Sequence, residues 1–403
     1  MVGQSGGWGC QDITNNILAI SYHLNIGDIL SMKIALCTEI MYPLYGVERR
    51  VYELGMRLPK YGMEVEIYTS TSRDRFKKLK IIKVSHTTIT NPPKRNYAFC
   101  IDYVFNLFKQ LMKRDYDLVH AEGHMSLIPC SAAAFMRKKP SVATIHDLYL
   151  SHWGKMYKSA ASFAGLPFEI MSCKLPFDKI LTVNSSIKNK MINTLRMNKK
   201  KIDILHSGID TKYIDSIKGN KKDDSIVYVG RLVPQKNVNM LIRAYASLDP
   251  VIRKKHQLKI IGEGSEKPKL EALAKSLGAK VNFAGKIERH EDVIREVKAA
   301  SLFVLPSRRE SFGITIMESM LSGVPVISTA TEGPMDHIIN GETGFLVGVD
   351  DTKELAKSME GVLTNKNLYN RLSKNGRVYA ANHDWENIAK NVAAVYKKVY
   401  ESK

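Results

Sequence analysis

Short apolar segments alternate with helical patterns along most of the chain. Residues 33–38 form a mainly apolar run, residues 47–61 carry apolar positions at helical spacing, and residues 64–69 alternate between apolar and polar side chains. Strands and helices that alternate on this scale predict a doubly wound parallel sheet. The same pattern predicts further strands at residues 80–84, 117–121, 141–146, 179–183 and 202–205.

The alternation stops once, between residues 209 and 224, where Lys, Asp, Asn and Gly dominate. It resumes with predicted strands at residues 225–230, 258–261, 281–284, 302–305 and 324–328, and helical patterns follow at 352–363, 366–381 and 385–402. We therefore predict two Rossmann-like α/β domains that face each other across a cleft, and ligands favour such interfaces. The predicted division is an N-terminal domain at 32–208, a linker at 209–224, a C-terminal domain at 225–384, and a helix at 385–403 that packs back towards the N-terminal domain.

Bulk composition narrows the class of protein. A chain of 403 residues is long enough for two domains, and residues 1–31, rich in Gly, Asn and Ser, are expected to be a poorly specified extension. The apolar run at 127–136 is shorter than the roughly 20 residues of a membrane-spanning helix. The five scattered cysteines predict neither disulfides nor a zinc site and favour the cytoplasm. A net charge of +20 favours an anionic partner, which could be a membrane, a phosphorylated substrate or nucleic acid.

The first candidate site is a turn between a predicted strand and a predicted helix. The apolar run at 301–305 leads through a Ser-Phe-Gly turn at 311–313 into a helical pattern. Free N–H groups and the helix dipole meet at such a point and bind anions. Glu310 precedes the helix and Glu318 lies about two turns inside it, so the two carboxylates can accept hydrogen bonds from hydroxyls at opposite ends of one ligand. A surface glutamate and a helix-face glutamate are the alternative explanation.

The run from Pro306 to Ile327 reads Pro-Ser-x-x-Glu-Ser-Phe-Gly-x-x-x-x-Glu-Ser-Met-x-x-Gly-x-Pro-Val-Ile. It resembles the donor-site signature of the group 1 (family 4) retaining glycosyltransferases of the GT-B fold. The resemblance implies that Glu310 contacts the donor sugar and that Glu318 contacts the nucleotide ribose. It also implies donor contacts from the turn itself, at Ser311, Phe312, Gly313 and Ile314.

A second motif, Gly-Arg-Leu-x-x-x-Lys-Asn, occupies residues 230–237 after the first strand of the C-terminal domain. Arg231 and Lys236 flank a turn before a predicted helix, where a planar guanidinium and an ammonium suit a diphosphate. Two solvated surface cations are the alternative, but the motif is similar to one whose Arg and Lys hold the donor diphosphate in the same family. Gly262 and Gly264 form half of a dinucleotide fingerprint without its third glycine. The resemblance places them beside the donor pocket, where we assign them to turn formation and close backbone approach.

The N-terminal domain is expected to supply the facing wall of the cleft. Gly46 precedes the first helix and lets the backbone approach an anion there, as part of the donor site. The family has two glycines at this loop, whereas this chain has Tyr45 before Gly46, and we assign Tyr45 and Glu48 to the acceptor side.

Thr144-Ile145-His146-Asp147 ends another predicted strand on the cleft side. A lone histidine is usually structural, but this element resembles the family's Thr-x-His-Asp. The resemblance implies that His146 binds a hydroxyl of the donor sugar or stabilises charge near the reacting carbon, and we place Asp147 on the acceptor side. His206-Ser207 replaces the family's Pro-Asn, so only a domain-joining role is predicted there.

The predicted function is transfer of a hexose-type sugar from a nucleoside-diphosphate donor to an acceptor hydroxyl. His146, Glu310, Arg231 and Lys236 are the candidate catalytic residues. Retention, by attack on the face of the departing phosphate, follows only from the resemblance. No Asp-x-Asp stands at a loop that would hold a divalent cation, so no metal and no cofactor is predicted. An epimerase or phosphorylase of the same fold and a non-catalytic nucleotide-sugar-binding protein remain alternatives.

The acceptor is predicted from the basic charge of the chain and from the acceptors that are common in the resembled family. Residues 99–114 combine Phe105, Phe108, Leu111 and Met112 with Lys109, Lys113 and Arg114, which suits a helix lying on an anionic membrane surface. A core-facing helix with a basic rim explains the same residues. Lipid-linked acceptors are common in the resembled family, so a lipid or lipid-linked glycan and a peripheral position on the cytoplasmic face of a membrane are expected. The sequence lacks a motif that combines aromatic and basic residues, so no nucleic-acid partner is predicted.

Overall fold

The computed structural model describes residues 31–41, 46–70, 76, 78–85, 97–150, 161–220 and 223–403. Tyr45, which was assigned to the acceptor side from the sequence, lies outside the described residues. The strands are β1 Met32–Cys37, β2 Met63–Thr69, β3 Lys80–Lys83, β4 Leu118–Glu122, β5 Ser141–Ile145, β6 Lys179–Thr182, β7 Ile202–Ile204, β8 Ile226–Val229, β9 Leu258–Ile261, β10 Val281–Gly285, β11 Leu302–Leu305, β12 Val326–Thr329 and β13 Phe345–Val347. The α-helices are α1 Gly46–Arg57, α2 Tyr97–Lys113, α3 His124–Arg137, α4 Ala161–Cys173, α5 Ser185–Asn193, α6 Thr211–Ser216, α7 Val238–Ala246, α8 Pro250–Lys255, α9 Lys267–Ser276, α10 His290–Ala299, α11 Ile314–Leu321, α12 Pro334–His337, α13 Thr352–Thr364, α14 Lys366–Ala381 and α15 Trp385–Glu401.

The N-terminal domain is built on a parallel sheet with strand order β3-β2-β1-β4-β5-β6-β7. Strand β1 pairs with β2 on one side, where Ile34 faces Val65, and with β4 on the other, where Ile34 faces Leu118. Alternate residues of β1 enter two different cores, because successive side chains of a strand point to opposite faces. Ala35 and Cys37 lie in the core under α2, α3 and α4, whereas Ile34 lies in the core under α1.

The C-terminal domain repeats this plan with strand order β10-β9-β8-β11-β12-β13, again all parallel. Its strands are short apolar runs, and all four residues of β11 are buried. Strands covered by helices on both faces need such continuous apolar sequence. The predicted fold class, two Rossmann-like parallel-sheet domains, is confirmed.

The C-terminal helix α15 leaves the domain that precedes it in sequence. Its residues Trp385, Val392 and Tyr396 are buried in the same core as Ile34 and Leu36 of β1. Gly208 lies against the start of the helix, because a Cβ atom there would be 3.0 Å from the backbone N of Trp385. The two chain segments that cross between the domains therefore run side by side.

Two features of the C-terminal half differ from the sequence prediction. The predicted linker contains helix α6, whose Ile214 lies in the C-terminal core, because an apolar residue and an Asp210 cap outweigh the polar surroundings. The three-residue strand β13 was not predicted, since it lies between turn-forming glycines and is too short to show a period. No helix within the described residues is long and apolar enough to cross a bilayer.

Candidate active site

The turn at residues 311–313, which we call the donor turn after its predicted role, follows strand β11 as the sequence predicts. Gly313 has φ = 84° and precedes the first residue of helix α11, Ile314. A left-handed conformation is strained for most residues with a side chain, so the glycine allows the abrupt change from turn to helix. Phe312 is buried, and the carbonyl of Ser311 accepts a hydrogen bond from Asn184 Nδ2 of the N-terminal domain at 2.6 Å. The first N–H groups of α11 lack intrahelical acceptors and remain available at this end.

Lys236 and Glu310 meet although 74 residues separate them in sequence. Lys236 Nζ lies 2.6 Å from Glu310 Oε2, and the two side chains are 15% and 17% exposed. Backbone contacts join the same two loops, because Arg308 N donates to Gln235 O at 2.9 Å. The structure thus brings the two predicted donor motifs together at one edge of the C-terminal sheet.

Arg231 stands at the mouth of this site with an exposed side chain. Within the described part of the chain its guanidinium makes no hydrogen bond or ion pair, and only its carbonyl is engaged, accepting from Tyr228 Oη at 2.9 Å. A guanidinium held by its backbone, with its donors unoccupied, can turn towards an anion without breaking a contact.

Gly262 and Gly264 allow two loops of the C-terminal domain to approach closely. A Cβ atom would lie 1.9 Å from Gly230 O at the first position and 2.2 Å from Leu232 O at the second. Both distances are below any normal contact, so only glycine fits. These residues pack directly against the loop that carries Arg231.

Glu318 lies on α11 and is largely buried. Its Oε1 accepts a hydrogen bond from His290 Nε2 at 2.9 Å, and the His290 ring stacks on Tyr213 with centroids 5.8 Å apart. Burial opposes protonation of His290, but the hydrogen bond and charge of Glu318 raise the pKa of this histidine above its ordinary value. Neither His290 nor Tyr213 was recognised from the sequence, because their contact with Glu318 is long-range.

His146 follows β5 on the N-terminal side of the cleft. Its Nε2 lies 2.5 Å from Glu122 Oε2, and Glu122 is fully buried at the end of the neighbouring strand β4. Arg50, on α1 and also fully buried, donates from Nε to Glu122 Oε1 at 3.2 Å. Sequence reasoning missed Glu122 and Arg50. One local signal for Glu122 was available. It lies two residues after His120 in an otherwise apolar strand, and side chains spaced by two residues share one face of a sheet.

The cleft is bridged by a contact between the two walls. Arg309 Nη2 forms an ion pair with Asp147 Oδ1, and the Arg309 guanidinium lies 4.2 Å from the centroid of the Tyr149 ring. Arg309 precedes Glu310 and Asp147 follows His146, so this pair holds the two predicted catalytic side chains on facing walls. In this structure the predicted acceptor-side residue Asp147 is therefore engaged by an arginine.

The remaining predicted residues of the N-terminal wall are less constrained. Gly46 is the first residue of α1, and a Cβ atom there would meet no atom of the described residues within 4 Å. Glu48 lies in the first turn of the same helix. Their assignment to donor and acceptor stays a prediction.

Comparison with known proteins identifies the family. Residues 45–213 match the model for glycosyltransferase family 4, and residues 210–379 match the model for glycosyl transferases group 1. The chain belongs to the group 1 (family 4) glycosyltransferases and has the GT-B fold, which confirms the resemblance seen in its motifs.

Individual relatives agree with this assignment. An uncharacterized glycosyltransferase of Methanocaldococcus jannaschii is 26% identical over 374 residues, which cover 92% of this chain and 99% of the relative. An N-acetyl-D-galactosaminyltransferase of Campylobacter jejuni, named for a glycan on PP-undecaprenol, is 33% identical over 38% of this chain and 42% of its own. The crystal structure of Anabaena HepE in complex with UDP-glucose superposes with a TM-score of 0.71 at 18% identity, covering 91% of this chain and 100% of that one.

Proposed function

We propose that this glycosyltransferase moves a hexose-type sugar from a nucleoside-diphosphate donor to an acceptor hydroxyl with retention of configuration. The observation that carries the proposal is the meeting of Lys236 and Glu310 beside the exposed Arg231, at the N-terminus of α11. Cations and free N–H groups then lie where a diphosphate departs, and a carboxylate lies where sugar hydroxyls bind. The UDP-glucose in the related HepE structure supports this class of donor.

The reaction follows from these positions. The acceptor oxygen bonds to C1 of the sugar, the bond from C1 to the diphosphate oxygen breaks, and the acceptor proton passes to the departing phosphate on the same face. Arg231, Lys236 and the N–H groups at Gly313 and Ile314 stabilise the growing negative charge of the diphosphate. On the sugar, Glu310 orients the hydroxyls. At the other end of the donor, Glu318 exchanges its bond with His290 for the ribose hydroxyls.

Product analysis tests the reaction class. The protein is incubated with UDP-, GDP- and ADP-sugars, with and without candidate acceptors, and the products are identified by mass spectrometry and NMR. Release of nucleoside diphosphate, with the α or β configuration of the donor kept in the product, is the expected result. An epimerised donor or a phosphate-dependent sugar phosphate would instead reveal an epimerase or a phosphorylase. Binding without any turnover would indicate a nucleotide-sugar-binding protein.

The surface of the N-terminal domain supports a lipid or lipid-linked acceptor. Helices α2, α3 and α4 cover one face of the sheet and share its core. On their outer side we define the apolar patch, whose large side chains are between 57% and 77% exposed: Ile101, Phe105, Phe135, Met136 and Met171. Leu111, which the sequence analysis assigned to a membrane face, is fully buried and Phe108 and Met112 are half-buried, because the helix turns that side towards the core. Of the four apolar side chains named from the sequence, only Phe105 therefore lies in the apolar patch.

Exposed cations lie on the same three helices or directly after their ends, at Lys109, Lys113, Arg114, Lys138 and Lys174. The exposed Asp115 lies next to Arg137, 3.6 Å from its Nη2. Apolar side chains within a basic rim match an anionic bilayer, which offers acyl chains and negative headgroups together. We propose that this surface rests on the cytoplasmic face of a membrane and that the acceptor is drawn from it, as the PP-undecaprenol in the name of the Campylobacter relative supports.

Sedimentation with liposomes tests the surface. The protein should bind vesicles rich in phosphatidylglycerol and ignore phosphatidylcholine vesicles, and Phe105→Glu combined with Phe135→Glu should abolish binding. Val378→Glu is the matched control, because Val378 is an equally exposed apolar side chain on α14 of the other domain. Absence of binding at every salt concentration would contradict the membrane proposal and leave the transferase proposal intact.

A further inference from the structure

A buried carboxylate supports His146 from behind the cleft. Glu122 is fully buried, and both of its oxygens are engaged: Oε2 with His146 Nε2 at 2.5 Å, and Oε1 with Arg50 Nε and Thr144 Oγ1, each at 3.2 Å. Arg50 also donates to the carbonyls of Leu205 and His206, at 3.3 Å and 3.1 Å. A carboxylate held by Arg50 from helix α1 and by Thr144 and His146 from strand β5 and its end has one orientation, and it imposes that orientation on the imidazole.

Electrostatics keep this carboxylate ionised. Burial alone would raise the pKa of Glu122, but its interactions with His120, Arg50 and His146, including the hydrogen bond from His146, hold that pKa well below its ordinary value. Arg50 is a permanent cation, so an ionised Glu122 is the partner that its buried guanidinium requires. An ionised carboxylate only accepts hydrogen bonds. The proton in the short contact with His146 therefore belongs to Nε2.

A chain of hydrogen bonds extends behind the carboxylate to the C-terminal helix. Tyr396 Oη lies 2.5 Å from His120 Nδ1, and His120 Nε2 lies 2.8 Å from Thr144 Oγ1. Because Thr144 donates its only proton to Glu122, its oxygen must accept from His120 Nε2–H, and His120 Nδ1 must accept from the tyrosine. Burial lowers the pKa of His120 to about 4, which agrees with a neutral ring. All donors in the chain point towards Glu122.

We propose that Glu122 is a positioning residue, which fixes the proton of His146 on Nε2 and leaves Nδ1 as a hydrogen-bond acceptor for a hydroxyl of the donor sugar. The inference rests on the proposed donor site for its ligand, but its geometry belongs to the protein alone. Within the described residues Nδ1 of His146 has no partner, and the side chain is 15% exposed on the cleft side of the carboxylate. A ring nitrogen that accepts hydrogen bonds binds a hydroxyl, because a hydroxyl can donate, and it does not bind a group that can only accept hydrogen bonds.

The protonated nitrogen can be observed without turnover. In protein carrying ¹⁵N-labelled histidine, with His146 assigned by comparison with His146→Gln, the ring shifts should show a proton on Nε2 and none on Nδ1. Glu122→Gln should change that signal towards the other tautomer, because the amide can donate to Nε2. A wild-type His146 protonated at Nδ1, either alone or together with Nε2, would overturn the proposal, and this readout does not depend on whether any sugar nucleotide is a substrate.

Kinetics supply the second readout. Glu122→Gln should lower kcat by about tenfold or more, since the wrong tautomer presents a donor to the sugar, while UDP affinity stays unchanged because the nucleotide is bound by the other domain. Glu122→Asp should recover part of kcat. Glu53→Gln is the matched control, a buried glutamate paired with Arg49 and Arg57 away from His146. Full activity of a folded Glu122→Gln protein would contradict the positioning role.

Discussion

Lys236 Nζ lies 2.6 Å from Glu310 Oε2, so the cation proposed for the diphosphate is neutralised by the carboxylate proposed for the sugar. A bound nucleotide sugar must share the lysine with Glu310 or take it over. When a diphosphate takes over Lys236, Glu310 therefore becomes free to accept hydrogen bonds from the sugar hydroxyls.

Glu310→Gln should separate binding from turnover. Removing one negative charge beside the diphosphate site frees Lys236 and is expected to tighten UDP binding, by up to about tenfold, or about 1.4 kcal/mol. Sugar transfer should fall by about 100-fold, because the hydroxyls lose a charged acceptor. Calorimetric titration with UDP measures the first effect and initial rates measure the second. Weaker UDP binding in this variant would argue against the proposed use of Lys236.

Arg231→Ala should cost catalysis and leave stability unchanged. The side chain makes no hydrogen bond or ion pair within the described chain that folding could lose, so its value lies in the charge that develops on the leaving diphosphate. We expect kcat/KM to fall by about 10²- to 10³-fold at an unaltered unfolding temperature. Arg243→Ala, an exposed arginine on α7, is the control. Retention of most of the catalytic efficiency would remove Arg231 from the diphosphate site.

Two glycines should respond differently to alanine. At Gly262, φ is 143° and a Cβ would lie 1.9 Å from Gly230 O, so Gly262→Ala should lower the free energy of unfolding by about 3 kcal/mol or more. At Gly46 the described part of the chain leaves room for a Cβ atom, and Gly46→Ala should be neutral or slightly stabilising. Urea unfolding measures both. Weakened donor binding in a fully stable Gly46→Ala protein would support the predicted anion contact at α1, and unchanged binding would count against it.

Acidification should destabilise the junction between the domains. His206, His337 and His383 lie with ring centroids 5.1 to 5.8 Å apart, and His337 packs on Phe312 of the donor turn at 4.5 Å. Burial lowers the pKa of His383 to about 4 and also lowers the pKa values of His206 and His337. The unfolded chain therefore binds more protons below its ordinary histidine pKa of about 6.5, and stability is lost as the pH falls through that value.

The size of this effect is about 1.4 kcal/mol per pH unit for each such histidine, until its folded pKa is reached. Urea unfolding at pH 7, 6 and 5 measures it in a range above the ordinary pKa of glutamate. In His383→Gln the free energy of unfolding should fall less steeply with falling pH, because one fewer histidine takes up a proton on unfolding. A free energy of unfolding that stays constant or rises between pH 7 and 5 would show that these rings are not buried as neutral groups.

Donor turnover is expected to continue in an excess of EDTA. The proposed charge stabilisation comes from Arg231, Lys236 and helix N–H groups, and the described residues hold no group of three or more side chains placed as metal ligands. Rates with EDTA, and after addition of Mg²⁺ or Mn²⁺, measure the dependence. Loss of activity that either ion restores would show that a divalent cation takes part.

Local pattern was sufficient to predict most of the fold. The strands at Leu258–Ile261 and Leu302–Leu305 were predicted residue for residue, because an apolar run between turn residues is a local signal. Phe345–Val347 was missed because three residues show no period. Helix Thr211–Ser216 was missed because its single buried side chain, Ile214, is recognised only by the core that it enters.

The residues of the candidate site also fall into those that could be predicted from the sequence and those that could not. Motif spacing indicated Arg231, Lys236 and Glu310, and His146 could be placed at a strand end. Their partners could not be predicted, since Glu122 reaches His146 across neighbouring strands and Arg50 crosses from a helix 72 residues earlier in the chain than Glu122. Such pairings depend on the register of the sheet and on helix packing, which one sequence read locally does not contain.

The most direct test compares nucleoside diphosphate release from a panel of UDP-, GDP- and ADP-sugars by the unmodified protein, by Glu310→Ala and by Glu288→Ala. Glu288 is exposed and serves as the control for removal of a carboxylate. We expect one donor to raise the unfolding temperature and to be hydrolysed slowly by the unmodified and Glu288→Ala proteins, and we expect Glu310→Ala to leave it intact. Hydrolysis that persists in Glu310→Ala, or a panel in which no sugar nucleotide binds, would contradict the proposed site.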